Sequence, residues 1–218
     1  MGPMADYDLA IIGAGMAGAS LAAEVAAHSR ARVLLLEAED FPGYHTTGRS
    51  AAFYEECYGG PDIVPLSRAS YRYLTEGDFL SPRGALYIGT ADDAPKMDAF
   101  EARFADTGAR FERLAPGEAH DQVPTLRGEW SEAIWQPHCA DIDVAALHQH
   151  YLKAARRAGA ELVIRARIEG IDRIGGEWRI RSADGREWQV SEIANAAGAW
   201  ADTVAELAGA RPLGIQPL

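Results

Sequence analysis

Tyr7-Asp8-Leu9-Ala10-Ile11-Ile12-Gly13-Ala14-Gly15-Met16-Ala17-Gly18, followed by Val33-Leu34-Leu35-Leu36-Glu37, is the stretch that decides the fold. An apolar run ends in Gly-x-Gly-x-x-Gly, residues 16–28 are mostly small with helical spacing, and a second apolar run ends in an acid 19 positions after Gly18. That order predicts a βαβ unit carrying the dinucleotide-binding fingerprint. Gly13 lets the chain turn sharply off the first strand, Gly15 has no side chain to hold a pyrophosphate away, and Gly18 lets the helix sit close to the sheet. Unpaired N–H groups at the helix N-terminus, with the macrodipole behind them, favour phosphate there. Glu37 is placed to accept hydrogen bonds from the adenosine ribose hydroxyls.

Composition narrows the function classes. The 218 residues are 48% hydrophobic and carry a net charge of -11, which argues against a nucleic-acid partner or an anionic membrane surface. Two cysteines, Cys57 and Cys139, make no disulfide framework and fit a reducing, cytoplasmic compartment. There is no basic leader before the first apolar run and no apolar run long enough to span a membrane. Met1-Gly2-Pro3 ahead of Met4 reads as a cloning remnant.

Strands are expected at 7–12, 33–37, 84–90, Trp130–Trp135, Leu162–Ile164, Ile168–Ile174, Trp178–Arg181 and Trp188–Ile193. Gly175-Gly176 and Asp184-Gly185 supply hairpin turns. Helices are expected at 62–76, at 93–106, from Asp143 to about Ala158, and from Asn195 to Gly209. The fold class is α/β: a doubly wound, Rossmann-like FAD-binding domain (4–60 and 141–210) interrupted by part of a mixed-sheet substrate domain (61–140). Residues 211–218 begin a segment that is cut off.

Two features favour FAD over NAD. Thr46, Thr47, Arg49 and Ser50 precede an expected helix start and would make a second anion and flavin-edge site. The run Asn195-Ala196-Ala197-Gly198-Ala199-Trp200 is small enough for backbone to approach a flat ligand. The chain here resembles the FAD-dependent oxidoreductases of the D-amino-acid oxidase superfamily, and most of all D-arginine dehydrogenase. The matching segments are Gly43 to Ala52, Ala140-Asp141-Ile142-Asp143, Ala146-Leu147-His148-Gln149, Asn195 to Trp200 and Arg211-Pro212-Leu213-Gly214.

The resemblance implies FAD as cofactor, with Gly13, Gly15, Ala17 and Gly18 lining the pyrophosphate, Glu37 on the ribose and Ala38 beside the adenine. It implies that Thr46, Thr47, Gly48, Arg49, Ser50, Ala51 and Ala52 wrap the pyrophosphate and isoalloxazine edge. Ile168 would meet the adenine, and Gly198 and Trp200 would lie near the flavin. Tyr58 matches the family's active-site Tyr and is carried over as the catalytic candidate. The implied reaction is oxidation of the CH–NH group of an amino acid or related amine by hydride transfer to flavin N5.

Departures bear on the substrate. Phe53 and Ala85 stand where D-arginine dehydrogenase has a His and a guanidinium-pairing Glu, and an apolar Ala cannot offset the desolvation of a buried cation. A small or apolar amine is therefore expected. Family members run on well past Leu218, so the expected partner is a complementary chain or a missing C-terminal half. The alternatives are a non-catalytic FAD-binding half and an NAD-dependent dehydrogenase. No metal site is expected: the spacing of His138, Cys139, Asp141 and Asp143 fits no zinc pattern. His148 and His150 diverge on their helix, one packed and one solvated. Cys57 reads as a buried small hydrophobe.

Overall fold

The computed structural model describes residues 5–115 and 117–215. Residues 1–4, 116 and 216–218 lie outside the described residues. The chain divides into two compact units, Met1–Ser50 with Val144–Leu218, and Ala51–Asp143.

The first stretch builds β1 (Tyr7–Ile12), α1 (Met16–His28), β2 (Val33–Leu36) and a single helical turn, α2 (Thr46–Arg49). The second unit holds β3 (Phe53–Tyr54), α3 (Val64–Glu76), β4 (Leu80–Pro82), β5 (Ala85–Gly89), α4 (Ala94–Phe104), β6 (Glu112–Leu114), α5 (Glu118–Gln122), β7 (Glu132–Gln136) and β8 (Ala140–Ile142). The chain then returns to the first unit with α6 (Val144–Arg157), β9 (Glu161–Val163), β10 (Ile168–Ile174), β11 (Glu177–Ser182), β12 (Glu187–Asn195) and α7 (Ala201–Leu207).

In the first unit one sheet runs β10-β11-β12-β1-β2-β9. β12, β1, β2 and β9 are parallel, and β10-β11-β12 is an antiparallel meander. Parallel strands need covering on both faces, and the alternation of side chains provides for it. Ile11, Val33 and Leu35 pack with Ala19, Ala22 and Ala23 of α1 and Leu152 and Ala155 of α6. Ala10, Ile12, Leu34 and Leu36 pack on the other side with Ile171, Ile180, Trp188 and Val190, and with Val204 of α7. α6 stops where Gly159 takes a φ of +96°, as expected from its position. Among the described residues no helix is long and apolar enough to cross a membrane.

The expected helix beginning after Ser50 is not formed. The helical turn lies earlier, at Thr46–Arg49, and Ala51-Ala52 lead into an extended strand. Four residues carry too little periodicity to be read as helix; the turn is closed by the Gly48 amide donating to the Gly43 carbonyl at 2.7 Å. The strands β3, β4, β6 and β8 also went unread, since two or three residues show no alternation.

The second unit has two small antiparallel sheets, β3-β8-β4 and β5-β7-β6. A buried carboxylate joins their connections: Glu56, 2% exposed, accepts from the Arg110 amide at 2.8 Å and from its Nη2 at 2.5 Å. Tyr54 also donates to it at 3.1 Å. Burial pushes the Glu56 carboxyl up, but Arg110's guanidinium and amide outweigh this and hold it below the ordinary 4.5. A lowered folded value contributes stability above the unfolded value and loses it as pH falls through the folded one. Glu56→Gln is therefore expected to flatten the loss of stability below about pH 4.5. At neutral pH it is expected to cost about 1–3 kcal/mol, read by denaturant unfolding at several pH values.

Candidate functional site

A cleft opens in the first unit beyond the carboxyl ends of β1, β2 and β12. Gly13, Gly15, Glu37, Thr47, Ile168 and Trp200 are among the residues that line it. This is where open α/β sheets bind ligands.

The floor is the Gly13–Gly15 loop. Gly13 has a φ of +104°, and its amide donates to the Leu36 carbonyl at 2.8 Å. A Cβ on it would stand 2.3 Å from the Ala196 carbonyl oxygen, so glycine is required both by conformation and by the approach of β12. Gly18 is buried under the same loop: a Cβ there would meet the Gly13 carbonyl oxygen at 1.8 Å. Gly18 therefore sets the helix–strand distance and does not itself line the cleft. Ala17 is exposed on α1 and is also not among the lining residues.

Glu37 is buried at the end of β2. Its Oε2 accepts from the Ala14 amide at 3.0 Å, and Oε1 accepts from the Glu39 amide at 3.0 Å. Each oxygen keeps a lone pair for a further donor. The carboxylate thus ties the two walls of the cleft while remaining able to receive two vicinal hydroxyls.

Thr47 joins the turn α2 to the fingerprint. Its hydroxyl accepts from the Met16 amide at 3.0 Å, which leaves the hydroxyl proton to donate elsewhere. One of the amides that sequence reasoning left for phosphate is thereby used by protein. A Cβ on Gly15 would come 3.1 Å from the same oxygen, so the missing side chain is what keeps the space between loop and turn open.

Of the other residues singled out by sequence, Ala38, Thr46 and Gly198 line the cleft, and Gly48, Arg49 and Ser50 do not. The Arg49 guanidinium lies over the Tyr44 ring, 5.0 Å from its centroid. Ala51 and Ala52 belong to the second unit, as do Phe53, Tyr58 and Ala85. Phe53 is half-exposed beneath the Arg83 guanidinium, and Tyr58 is 74% exposed. Cys57 is buried, and burial with Glu55 nearby pushes its thiol up to about 12, so it is inert as a nucleophile.

Three features were not anticipated. His45 packs against Trp200, ring centroids 4.4 Å apart, while its Nε2 meets Glu39 Oε1 at 2.9 Å. Buried Glu55 accepts from the Tyr87 hydroxyl at 2.5 Å and from Gln136 Nε2 at 3.2 Å. Gln136 pairs with Ala85 across β5 and β7, so this carboxylate sits on the sheet face that carries Ala85. His148, the packed member of its pair, binds the fingerprint loop at the Ala14 carbonyl. The two adjacent acids in Tyr54-Glu55-Glu56-Cys57, set between Tyr54 and Cys57, were the available signal for Glu55; nothing local marked the other two.

The cleft fits a dinucleotide: an open, side-chain-free floor for a diphosphate, and at one end a buried carboxylate for a ribose. Comparison with known proteins agrees. Residues 8–218 match the family described as FAD dependent oxidoreductase (DAO). L-2-hydroxyglutarate dehydrogenase of Escherichia coli strain K12 is 25% identical over 216 residues, covering 94% of this chain and 51% of that enzyme. The chain thus spans about half the length of the curated relatives it matches. Glycine oxidase from Geobacillus kaustophilus superposes with a TM-score of 0.82 at 23% identity, over 94% of this chain and 59% of that one. L-alpha-glycerophosphate oxidase from Mycoplasma pneumoniae, solved with FAD bound, superposes with a TM-score of 0.85 at 16% identity, over 94% and 58%. The chain belongs to the FAD dependent oxidoreductase family, and its cofactor is FAD.

Proposed function

We propose that the protein oxidises the CH–NH group of an amino acid or related amine. The observation that carries the reading is the Gly13–Gly15 floor with Glu37 at its end, in a chain of this family. FAD, when bound, would supply the hydride acceptor for oxidation of the substrate Cα–H. The amine loses a proton to solvent, and the resulting imine is hydrolysed to a keto acid and ammonia.

This chain's residues do the holding. Gly13 and Gly15 present backbone to the diphosphate, Thr47 donates its hydroxyl proton to it, and Glu37 receives the ribose hydroxyls. Ala38 and Ile168 border the adenine, and Gly198 and Trp200 border the path toward the flavin. Tyr58, on the surface of its unit, is the substrate-side candidate for orienting the substrate. Phe53 and Ala85 replace the His and Glu of D-arginine dehydrogenase, and the Glu55 carboxylate beside Ala85 is already engaged by Tyr87 and Gln136. A small or apolar substrate follows. Segments beyond this chain, or a complementary chain, complete the substrate site. The two free buried cysteines support a reducing, cytoplasmic setting.

A second reading, oxidation of a 2-hydroxy acid, is favoured by the names of the curated relatives. One experiment separates the two: anaerobic flavin bleaching of the full-length protein by D- and L-amino acids, N-methyl amines and 2-hydroxy acids. Fast bleaching by small or apolar amines is expected. Bleaching by hydroxy acids alone would replace the amine reading, and fastest bleaching by arginine or lysine would overturn the reading of Ala85.

A further inference from the structure

We propose that His148 is a positioning residue for the diphosphate, acting through the Ala14–Gly15 peptide. The inference rests on the FAD reading of the cleft. His148 is 4% exposed on α6, and its Nε2 lies 2.8 Å from the Ala14 carbonyl oxygen. A carbonyl only accepts, so Nε2 carries the proton and donates. The residues bonded are 134 apart in sequence, and the bond has no part in any helix or sheet ladder.

The consequence follows from the geometry of a peptide. Among the described residues there is no cis bond. In a trans peptide the C=O and the following N–H point in opposite directions. Holding the Ala14 carbonyl toward α6 therefore turns the Gly15 N–H away from α6, and Gly15 lines the cleft. This amide stands before the first turn of α1, where no intrahelical acceptor exists. The other end of Ala14 is fixed too, its N–H donating to Glu37 at 3.0 Å. Two buried side chains thus hold one residue by both its polar groups, and the donor aimed into the cleft is set before any ligand arrives.

The imidazole has little freedom to leave this position. A Cβ on Gly43 would come 2.9 Å from His148 Cε1 and 3.0 Å from Nδ1, so the Gly43 loop closes over the ring. Gly43 also accepts from the Gly48 amide, which places α2 and its Thr47 hydroxyl. The same side chain therefore supports both halves of the phosphate cradle.

The test compares His148→Leu and His148→Gln in the full-length protein, freed of flavin, by calorimetric titration with ADP and with adenosine. Leucine keeps bulk and loses the donor, whereas the glutamine amide can still donate from its Nε2. For His148→Leu, ADP affinity is expected to fall about 10–100-fold, the worth of one hydrogen bond to a charged group. Adenosine affinity should stay within about twofold, and His148→Gln should recover most of the loss. Equal losses for ADP and adenosine would mark His148 as general packing and overturn the proposal, as would unchanged ADP affinity. Should the leucine variant fail to fold, His148→Asn replaces it: its shorter amide is expected to lose ADP affinity that glutamine retains, and parity between the two would overturn the proposal. Wild-type protein that binds neither FAD nor ADP would instead bring down the cofactor reading beneath it.

Discussion

Gly18→Ala is expected to strip the protein of flavin and lower its melting temperature by about 5–10 °C. The new Cβ would stand 1.8 Å from the Gly13 carbonyl oxygen and 3.0 Å from its carbon, both backbone atoms. Gly13 has nowhere to retreat. Its amide is bonded to Leu36, and the Ala196 carbonyl already approaches so closely that a Cβ on Gly13 would be 2.3 Å from it. Helix α1 must therefore lift off the sheet, carrying its first-turn amides out of register with the cleft. Overpacking of this kind costs about 1–3 kcal/mol, a large share of a typical stability of roughly 5–15 kcal/mol. Ala17→Ser, on the exposed side of the same turn, is the control and should leave both readouts within error. A Gly18→Ala protein with full flavin and an unchanged melting temperature would refute the packing role.

Glu37→Leu is the second large effect. It removes the acceptor of two backbone donors, Ala14 and Glu39, at a buried site. Each donor left unpaired costs about 1–3 kcal/mol. The ribose loses its partner as well, so adenosine and FAD affinities are both expected to fall at least about 100-fold. Glu37→Gln keeps one acceptor oxygen and should fall between wild type and leucine. The contrast with His148 is informative, because the histidine is expected to affect ADP and spare adenosine. Calorimetry with both ligands reads the two roles apart; undiminished adenosine binding by Glu37→Leu would contradict the ribose assignment.

Much of the first unit was legible because its physics is local. Residues 7–12 and 33–36 are buried parallel strands and hence near-continuous apolar runs, and α1 and β10 span the residues that periodicity indicated. The glycines could be assigned to jobs because each job excludes a side chain. The jobs nonetheless divided differently in space: Gly18 serves packing alone, and Arg49 lies on Tyr44 outside the cleft.

What escaped the sequence depends on residues far apart in the chain. Thr47 reaches Met16 across 31 residues, and His148 reaches Ala14 across 134. No local pattern encodes either bond. The same holds for β3, β4 and β8, whose two or three residues become strands through partners supplied elsewhere in their unit. Glu55 was overlooked for a related reason: one of two adjacent acids in a short segment becomes significant only once Tyr87 and Gln136 are seen to converge on it.

The central claim is that the cleft over Gly13–Gly15 holds a diphosphate linking adenosine to a flavin. Native mass spectrometry of the full-length protein tests it most directly. The expected result is one added mass of FAD per chain, absent from the Gly18→Ala variant. A bound FMN, a bound nicotinamide dinucleotide, or a protein that carries no flavin and takes none up would contradict it.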